Sequence, residues 1–306
     1  MSAGGGTRAI IAAFLANLGI AAAKFVGFLL TSSSSLLAES IHSLADTGNQ
    51  ALLLLGRKRA RKEADEAHAF GYGRERFFWA FVVALVLFTL GSLFAVYEGI
   101  SKIRHPEPIT SAPIAIGLLL VAVVLEGYSL RTALGEARAL RRGQSVFGFI
   151  RSSKNPELPV VLLEDMGAGI GLGIALAALV LAWKVDPVYD GYGTLLIGLL
   201  LGVIAVVLAI EMKSLLIGEA ASTEDVAGIR RAAESSGSVT RVIHLRTEHI
   251  GPEQILVAMK VAFSPGLDVA QLATAIDDVE AAIRVAVPGA VLVYIEPDLY
   301  REVPEP

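Results

Sequence analysis

The chain contains no cysteine, and only 18% of its residues are charged, against roughly 25% in an average soluble domain. The first absence removes disulfide frameworks, thiolate zinc sites and cysteine nucleophiles, so any metal chemistry must use His, Asp, Glu or Asn. The second, beside 54% hydrophobic residues and a mean hydropathy of +0.61 over 306 residues, excludes a disordered chain. It also excludes a single water-soluble core, which cannot hide that much apolar surface. Basic residues are in no excess: 26 Lys and Arg against 30 Asp and Glu give a net charge of −4. Such a balance leaves no electrostatic footprint for nucleic acid. There is no HExxH and no GxSxG, which argues against a membrane-embedded metalloenzyme.

What the chain has in quantity is long apolar runs. A bilayer crossing needs about 20 mostly apolar residues, and six stretches qualify: 9–30, 36–56, 77–97, 113–130, 159–183 and 188–210. The first carries only Lys24 and lacks a small-residue cleavage site, so it counts as a span and not as a signal peptide. An even number of spans puts both termini on one side. Arg8 with the segments 57–76 and 131–154 supplies fourteen Arg and Lys, whereas Lys102, Arg104 and Lys184 are alone on the other face. The positive-inside rule then places both termini in the cytoplasm of a multi-pass protein of the cell membrane. Residues 212–306 read as a soluble domain. They predict a helix at 223–235 with Ser222 as N-cap, strands at 239–245 and 254–263, a helix at 269–286 and a strand at 290–295. This αββαβ order suggests an open-faced α+β sandwich.

The few polar groups inside the spans are the informative ones. In the second span Glu39, His42, Asp46 and Asn49 stand at offsets 0, 3, 7 and 10, a single stripe on a helix. His42 and Asp46, one turn apart, can point at one ion. Ionisable groups cost at least ~2.5–3.5 kcal/mol each near the middle of a bilayer, so a cluster needs a cation, water or a facing helix. The bland alternative is a polar seam satisfied by its neighbours. Glu164 and Asp165 form a second acidic pair at comparable depth in the fifth span, and the two clusters can meet. Otherwise that pair serves the start of its helix through the macrodipole. One imidazole and two to four carboxylates suit Zn²⁺, Mn²⁺, Fe²⁺ or Co²⁺. The basic runs 57–62 and 138–142 read as anchors to anionic lipid.

On Asn17 and Lys24, SLLAESIHSLAD at 35–46, HAFGYGRER at 68–76, NPELPVV at 155–161, LLED at 162–165, DP at 186–187, GEA at 218–220, HLRTEHIGPE at 244–253 and IEP at 295–297, the chain resembles the cation diffusion facilitator family. These are divalent-metal/proton antiporters, and the likeness covers essentially the whole chain. Within the family it is most similar to the branch that includes an animal mitochondrial zinc exporter. The resemblance implies a polytopic α-helical membrane protein with six transmembrane helices and a C-terminal cytoplasmic ferredoxin-like domain. It further implies a homodimer, a metal site between the second and fifth spans, and no prosthetic group beyond the transported ion and protons as counter-ion.

Residue by residue, His42 and Asp46 match the family's ligand pair in the second span. In the fifth, aligning Asp165 with the family's last Asp puts Val161 where His or Asp is usual; shifting by one promotes Glu164. Either way one ligand is missing, and Glu39, Asn49, Glu164 or water completes the shell. In the tail, Lys260 and Tyr294 stand where some members have metal ligands. His68 is a loop contact for metal or a structural part of its turn, and His105 is a solvated residue. His244 and His249, on opposite faces of a strand, have surface roles. Glu126 in the fourth span is a helper in ion access or a partner for a basic residue. The expected activity is proton-coupled efflux of a divalent cation, zinc foremost. The alternatives are Mn, Fe, Co or Ni as cargo, or a non-transporting, metal-responsive membrane protein.

Overall fold

A computed structural model describes residues 5–32, 34–109, 112–141 and 143–301; Arg142, one of the counted basic residues, lies outside these, as do residues 1–4 and 302–306. The chain divides into two compact units, one holding the chain up to Lys62 together with Glu75–Lys213, the other holding Glu63–Arg74 and the chain from Ser214.

The first unit is helical. Helices α1 (Gly5–Thr31) and α2 (Ser34–Arg59) pack side by side, joined by a sharp turn in which Ser32 takes the left-handed conformation (φ 55°) that commonly closes a helix. A continuous helical rod follows, made of α3 (Glu75–Val86), a π-helical segment Leu87–Leu93 and α4 (Phe94–Arg104). Then come α5 (Ala112–Leu140), a short α6 (Val146–Ser152), α7 (Glu157–Lys184) and α8 (Val188–Ile217). Four rods, Glu75–Arg104, Ala112–Arg138, Glu157–Lys184 and Val188–Ile217, are long and apolar enough to cross a membrane, and α1 has a shorter apolar run at Asn17–Leu30. The burial pattern is inverted relative to a water-soluble bundle. Leu29, Leu90, Val124 and Val203 are exposed, while Lys24, Glu39, His42, Asp46, Asn49 and Glu164 are inside. In hydrocarbon that arrangement is favourable, since apolar side chains lose nothing by facing outward.

Two features of this unit have no signal in the apolar runs. Helix α6 is capped by Ser145, whose Oγ accepts from the Gly148 N–H. It buries Phe149 with Ala133, Ala137 and Leu162, and so supports the start of α7. Helices α4 and α8 meet backbone to backbone at glycines: a Cβ on Gly99 would stand 2.6 Å from Leu195 N, and one on Gly198 2.8 Å from Val96 N. Small residues at such crossings let dispersion contacts and close approach replace the hydrophobic drive that lipid cannot supply.

The second unit has the order α9 (Thr223–Glu234), β1 (Val239–Gly251), β2 (Gln254–Phe263), α10 (Val269–Ala286), β3 (Ala290–Pro297). The sheet order is β1-β2-β3, with β1 antiparallel and β3 parallel to β2. Alternation puts Val242, Val257, Met259, Val261 and Val293 against Ile229, Val279 and Ile283 of the helices. Ser222 caps α9, and Asp268 with Gln271 forms a capping box at α10. The segment 63–74 is built into this unit: Arg74 pairs with Glu248, and Gly73 lies against Ile250 O so closely that a Cβ would stand 2.6 Å away. Its own turn is held by Asp65, which accepts from the His68 N–H at 2.9 Å and the Tyr72 hydroxyl at 2.7 Å.

Candidate metal centre

Helix α2 buries the polar stripe that the sequence places on it. Glu39, His42, Asp46 and Asn49 are each no more than 4% exposed, and the stripe faces α7. Glu39 Oε1 stands 2.8 Å from where a Cβ on Gly171 would be, and Asn49 Nδ2 donates to Glu164 Oε1 at 2.6 Å. His42 Nε2 and Asp46 Oδ2, one turn apart, are separated by 3.5 Å, near enough to share one ion. Across from them α7 supplies Glu164 and Asp165, both buried. Ser129 of α5 donates to Asp165 Oδ2 at 3.0 Å, and Glu164, Glu126 and Asp165 all lie within electrostatic reach of Asp46.

Among the described residues, Glu39 Oε1, both ring nitrogens of His42, Asp46 Oδ1, Asn49 Oδ1 and Gln50 Oε1 are buried without a hydrogen-bond partner. A buried polar atom left unpaired costs about 1–3 kcal/mol. Six such atoms along a stretch of one helix therefore make a face that gains by meeting a cation. The remaining lone pairs are engaged: Glu164 by Asn49, Asp165 by Ser129, and Glu39 Oε2 by Lys24, whose Nζ is 3.1 Å away and also donates to Ser43 Oγ at 2.9 Å. Among the described residues no three His, Asp or Glu groups converge tightly enough to hold one ion. The donors are gathered on two facing helices with His42 and Asp46 at their centre.

Lys24, Ser43 and Ser129 are partners that helical spacing alone does not point to. Lys24 is visible as the one charge in its apolar run, but nothing in the run says that Glu39 meets it. The other histidines stand apart from the stripe. His68 belongs to the second unit, with Nδ1 3.6 Å from Asp65 Oδ1 and its ring against Tyr72. His105 is exposed at the end of α4. His244 is exposed as expected, but the surface role expected of His249 is corrected. It is 4% exposed, its N–H donates to Glu219 O, and Nδ1 lies 3.3 Å from Gly251 O. The register of β1 is regular from His244 to His249, so its alternation puts the two rings on opposite faces, and the face that carries His249 is the covered one. Lys260 is occupied by Glu296 at 2.9 Å and Asp298 at 3.2 Å. These hydrogen bonds, the one to Glu296 first, raise its pKa, and the same contact holds the Asp298 carboxyl below the usual range. Tyr294 beside them is exposed.

The signature of the cation efflux transmembrane domain matches residues 10–217, and that of the cation efflux protein cytoplasmic domain matches residues 221–298. Metal tolerance protein C4 of Arabidopsis thaliana is 30% identical over 260 residues, which are 84% of this chain and 57% of that protein. The proton-coupled zinc antiporter SLC30A9, mitochondrial, of Homo sapiens is 31% identical over 243 residues, 78% of this chain and 43% of that one. The chain thus spans about half the length of these relatives. Among solved structures, a MamM CTD variant in a nickel form matches over 25% of this chain and 96% of its own, with 25% sequence identity and a TM-score of 0.24. With two domain signatures in this order along the chain, it belongs to the cation efflux family, the cation diffusion facilitators, near the branch of the mitochondrial zinc antiporters.

Proposed function

We propose that the chain moves a divalent metal cation, zinc foremost, out of the cytoplasm in exchange for protons. The observation that carries this reading is the face of α2 described above, where polar atoms of Glu39, His42, Asp46 and Asn49 are buried without a hydrogen-bond partner and α7 brings the carboxylates of Glu164 and Asp165. His42 and Asp46 are the core ligands, and Glu164 or Asp165, with Glu39 and Asn49, completes the shell. Metal ligands must be deprotonated, so metal and protons compete for the same atoms, and acidification on the far side expels the ion. Rocking of the helices about the site alternates its access. Six spans formed by α1, α2, the α3–α4 rod, α5, α7 and α8, with both termini and the second unit in the cytoplasm, agree with the distribution of Arg and Lys. The αββαβ unit is read as ferredoxin-like and as the part that joins two copies. Two relatives, a metal tolerance protein and a proton-coupled zinc antiporter, support the cargo and the counter-ion.

The test is uptake of labelled zinc into proteoliposomes under an imposed pH gradient, repeated with Mn²⁺, Fe²⁺, Co²⁺ and Ni²⁺. Wild type accumulates metal, and the His42→Ala/Asp46→Ala variant does not. Equal inactivity of the two, with both folded, removes the antiporter reading. One observation favours a second reading, a metal-responsive protein that does not transport: Asn49 and Ser129 already hold the two carboxylates of α7. Zinc binding without uptake in the same assay selects it.

A further inference from the structure

The two motifs left without a role, HAFGYGRER and NPELPVV, meet in the structure. Arg76, in the first turn of α3, clasps Glu157, in the first turn of α7, with Nε and Nη2 each 2.7 Å from a different carboxylate oxygen. Asn155 Oδ1 accepts from the Glu157 N–H at 3.2 Å and from Arg76 Nη2 at 3.4 Å. Arg57, in the last turn of α2, lies 3.7 Å from Glu157 Oε1. Both principal side chains are largely buried, Arg76 at 14% and Glu157 at 12% exposed. A bidentate guanidinium–carboxylate pair in such surroundings is far stronger than an exposed ion pair.

Its place in the fold gives this pair a mechanical meaning. Helices α2 and α3 are fastened to each other by Gly56 against Trp79, where a Cβ would come within 2.9 Å of the Trp79 side chain, and by Arg59 over the Trp79 ring. Arg76 therefore travels with α2, while Glu157 travels with α7. Glu157 precedes Asp165 by eight residues, about 12 Å along the helix at ~1.5 Å per residue. The clasp thus ties together, roughly two turns from the site, the ends of the same two helices that carry the metal-binding groups.

We infer that the Arg76–Glu157 pair, seconded by Arg57, is a latch that closes the α2–α7 site on the side of segment 63–74. Arg76 and Glu157 are positioning residues, and release of the pair lets α7 swing from α2 so that an ion can pass at that end. The inference rests on the reading of the α2–α7 face as an ion site, but its test measures access and not transport. Loss of transport with latch-dependent access intact would remove the transport reading alone.

A chain without cysteine makes the test direct. Leu53 is buried on α2 one turn before Arg57, so Leu53→Cys provides a unique thiol between latch and site. A membrane-impermeant maleimide is applied from each side of vesicles holding the full chain. With the latch intact the thiol reacts slowly. Glu157→Gln speeds labelling from the side of segment 63–74 by roughly tenfold, the factor given by a coupling of about 1.4 kcal/mol. Arg76→Gln, which removes the other arm of the pair, speeds labelling likewise. Equal rates for the parent and Glu157→Gln, or for the parent and Arg76→Gln, overturn the proposal. Should Glu157→Gln fail to fold, Arg57→Gln loosens the same clasp from its weaker arm, and unchanged labelling there overturns it equally.

Discussion

Lys24 is 2% exposed, and its ammonium is held by Glu39 and Ser43 across the α1–α2 hairpin. Removing one partner of a buried ion pair is far more damaging than removing both, because the survivor stays charged and dry. Lys24→Met alone is therefore expected to cost about 3–5 kcal/mol, read as an earlier thermal transition of the solubilised protein. Lys24→Met/Glu39→Gln should recover most of the loss; equal damage in the two would mean that the pair is not the source. Asn49 is a second case. Its donation to Glu164 fixes that carboxylate, and loss of such an orienting group typically lowers metal affinity about 10–100-fold. Asn49→Ala should weaken zinc binding in calorimetry by that order, and an unchanged affinity would place Glu164 outside the shell. The stripe Glu39–His42–Asp46–Asn49 was legible in the sequence because helical spacing alone aligns it. The partners Lys24, Ser43 and Ser129 were not, since each comes from a different turn or helix that only packing brings near.

At the scale of elements, the helices announce themselves by uniform apolarity, and the same uniformity conceals what happens inside them. In Leu87–Leu93 the small and polar Thr89, Gly91 and Ser92 break the apolar run where the π-helical turn falls, but with apolar residues on every side there is no periodicity whose shift would reveal it. Helix α6 was missed for the opposite reason: its few apolar residues lie in a basic connector far too short for a span, although Ser145 before them is an ordinary capping signal. The α4–α8 crossing shows how little room the rods have. Gly198→Val would drive a side chain into the Val96 backbone and should cost about 1–3 kcal/mol or more, whereas Gly117→Ala, with nothing within 4 Å, should be neutral or stabilising by about 0.5–1 kcal/mol. Thermal melts of the two variants side by side check the contrast, and equal losses would reject the crossing as described. In the sheet, Lys260 holds the Asp298 carboxyl below its usual range. A depressed carboxyl contributes stability above its ordinary pKa of about 3.9 and loses it as pH falls through the lower folded value. Amide protection at the end of β3 should fade over that acidic window in wild type and show a weaker dependence in Lys260→Met, where the Leu299 N–H still holds the carboxylate, as followed by hydrogen exchange on the full chain.

For the whole molecule, composition alone divides the chain near residue 212, whereas the structure divides it after Lys213 and makes one excursion earlier in the chain. Hydropathy assigns the connector between α2 and α3 to the membrane part by position alone. The structure gives 63–74 to the second unit, through Arg74, Gly73 and the Asp65 turn. No local pattern could show this, since the partners Glu248 and Ile250 lie more than 170 residues further on. The proposed assembly of two copies through the second unit predicts a particle of twice the chain's mass in mass photometry of the solubilised protein. A single-copy mass at all concentrations would refute it.

The chain thus enters its second unit twice, once through twelve residues threaded between α2 and α3 and again for good after Lys213. A truncation that stops at Lys213 does not cut off a pendant; it leaves a strand of mooring line with its cleat gone. Arg74 loses its counter-charge and Gly73 the carbonyl it nestles against, at the mouth of the helix whose second residue is Arg76. Such a shortened chain compares two differently tethered helix pairs, and not a carrier with and without its tail. Separate Arg74→Ala and Gly73→Val variants of the intact chain are the cleaner way to ask what that second attachment does.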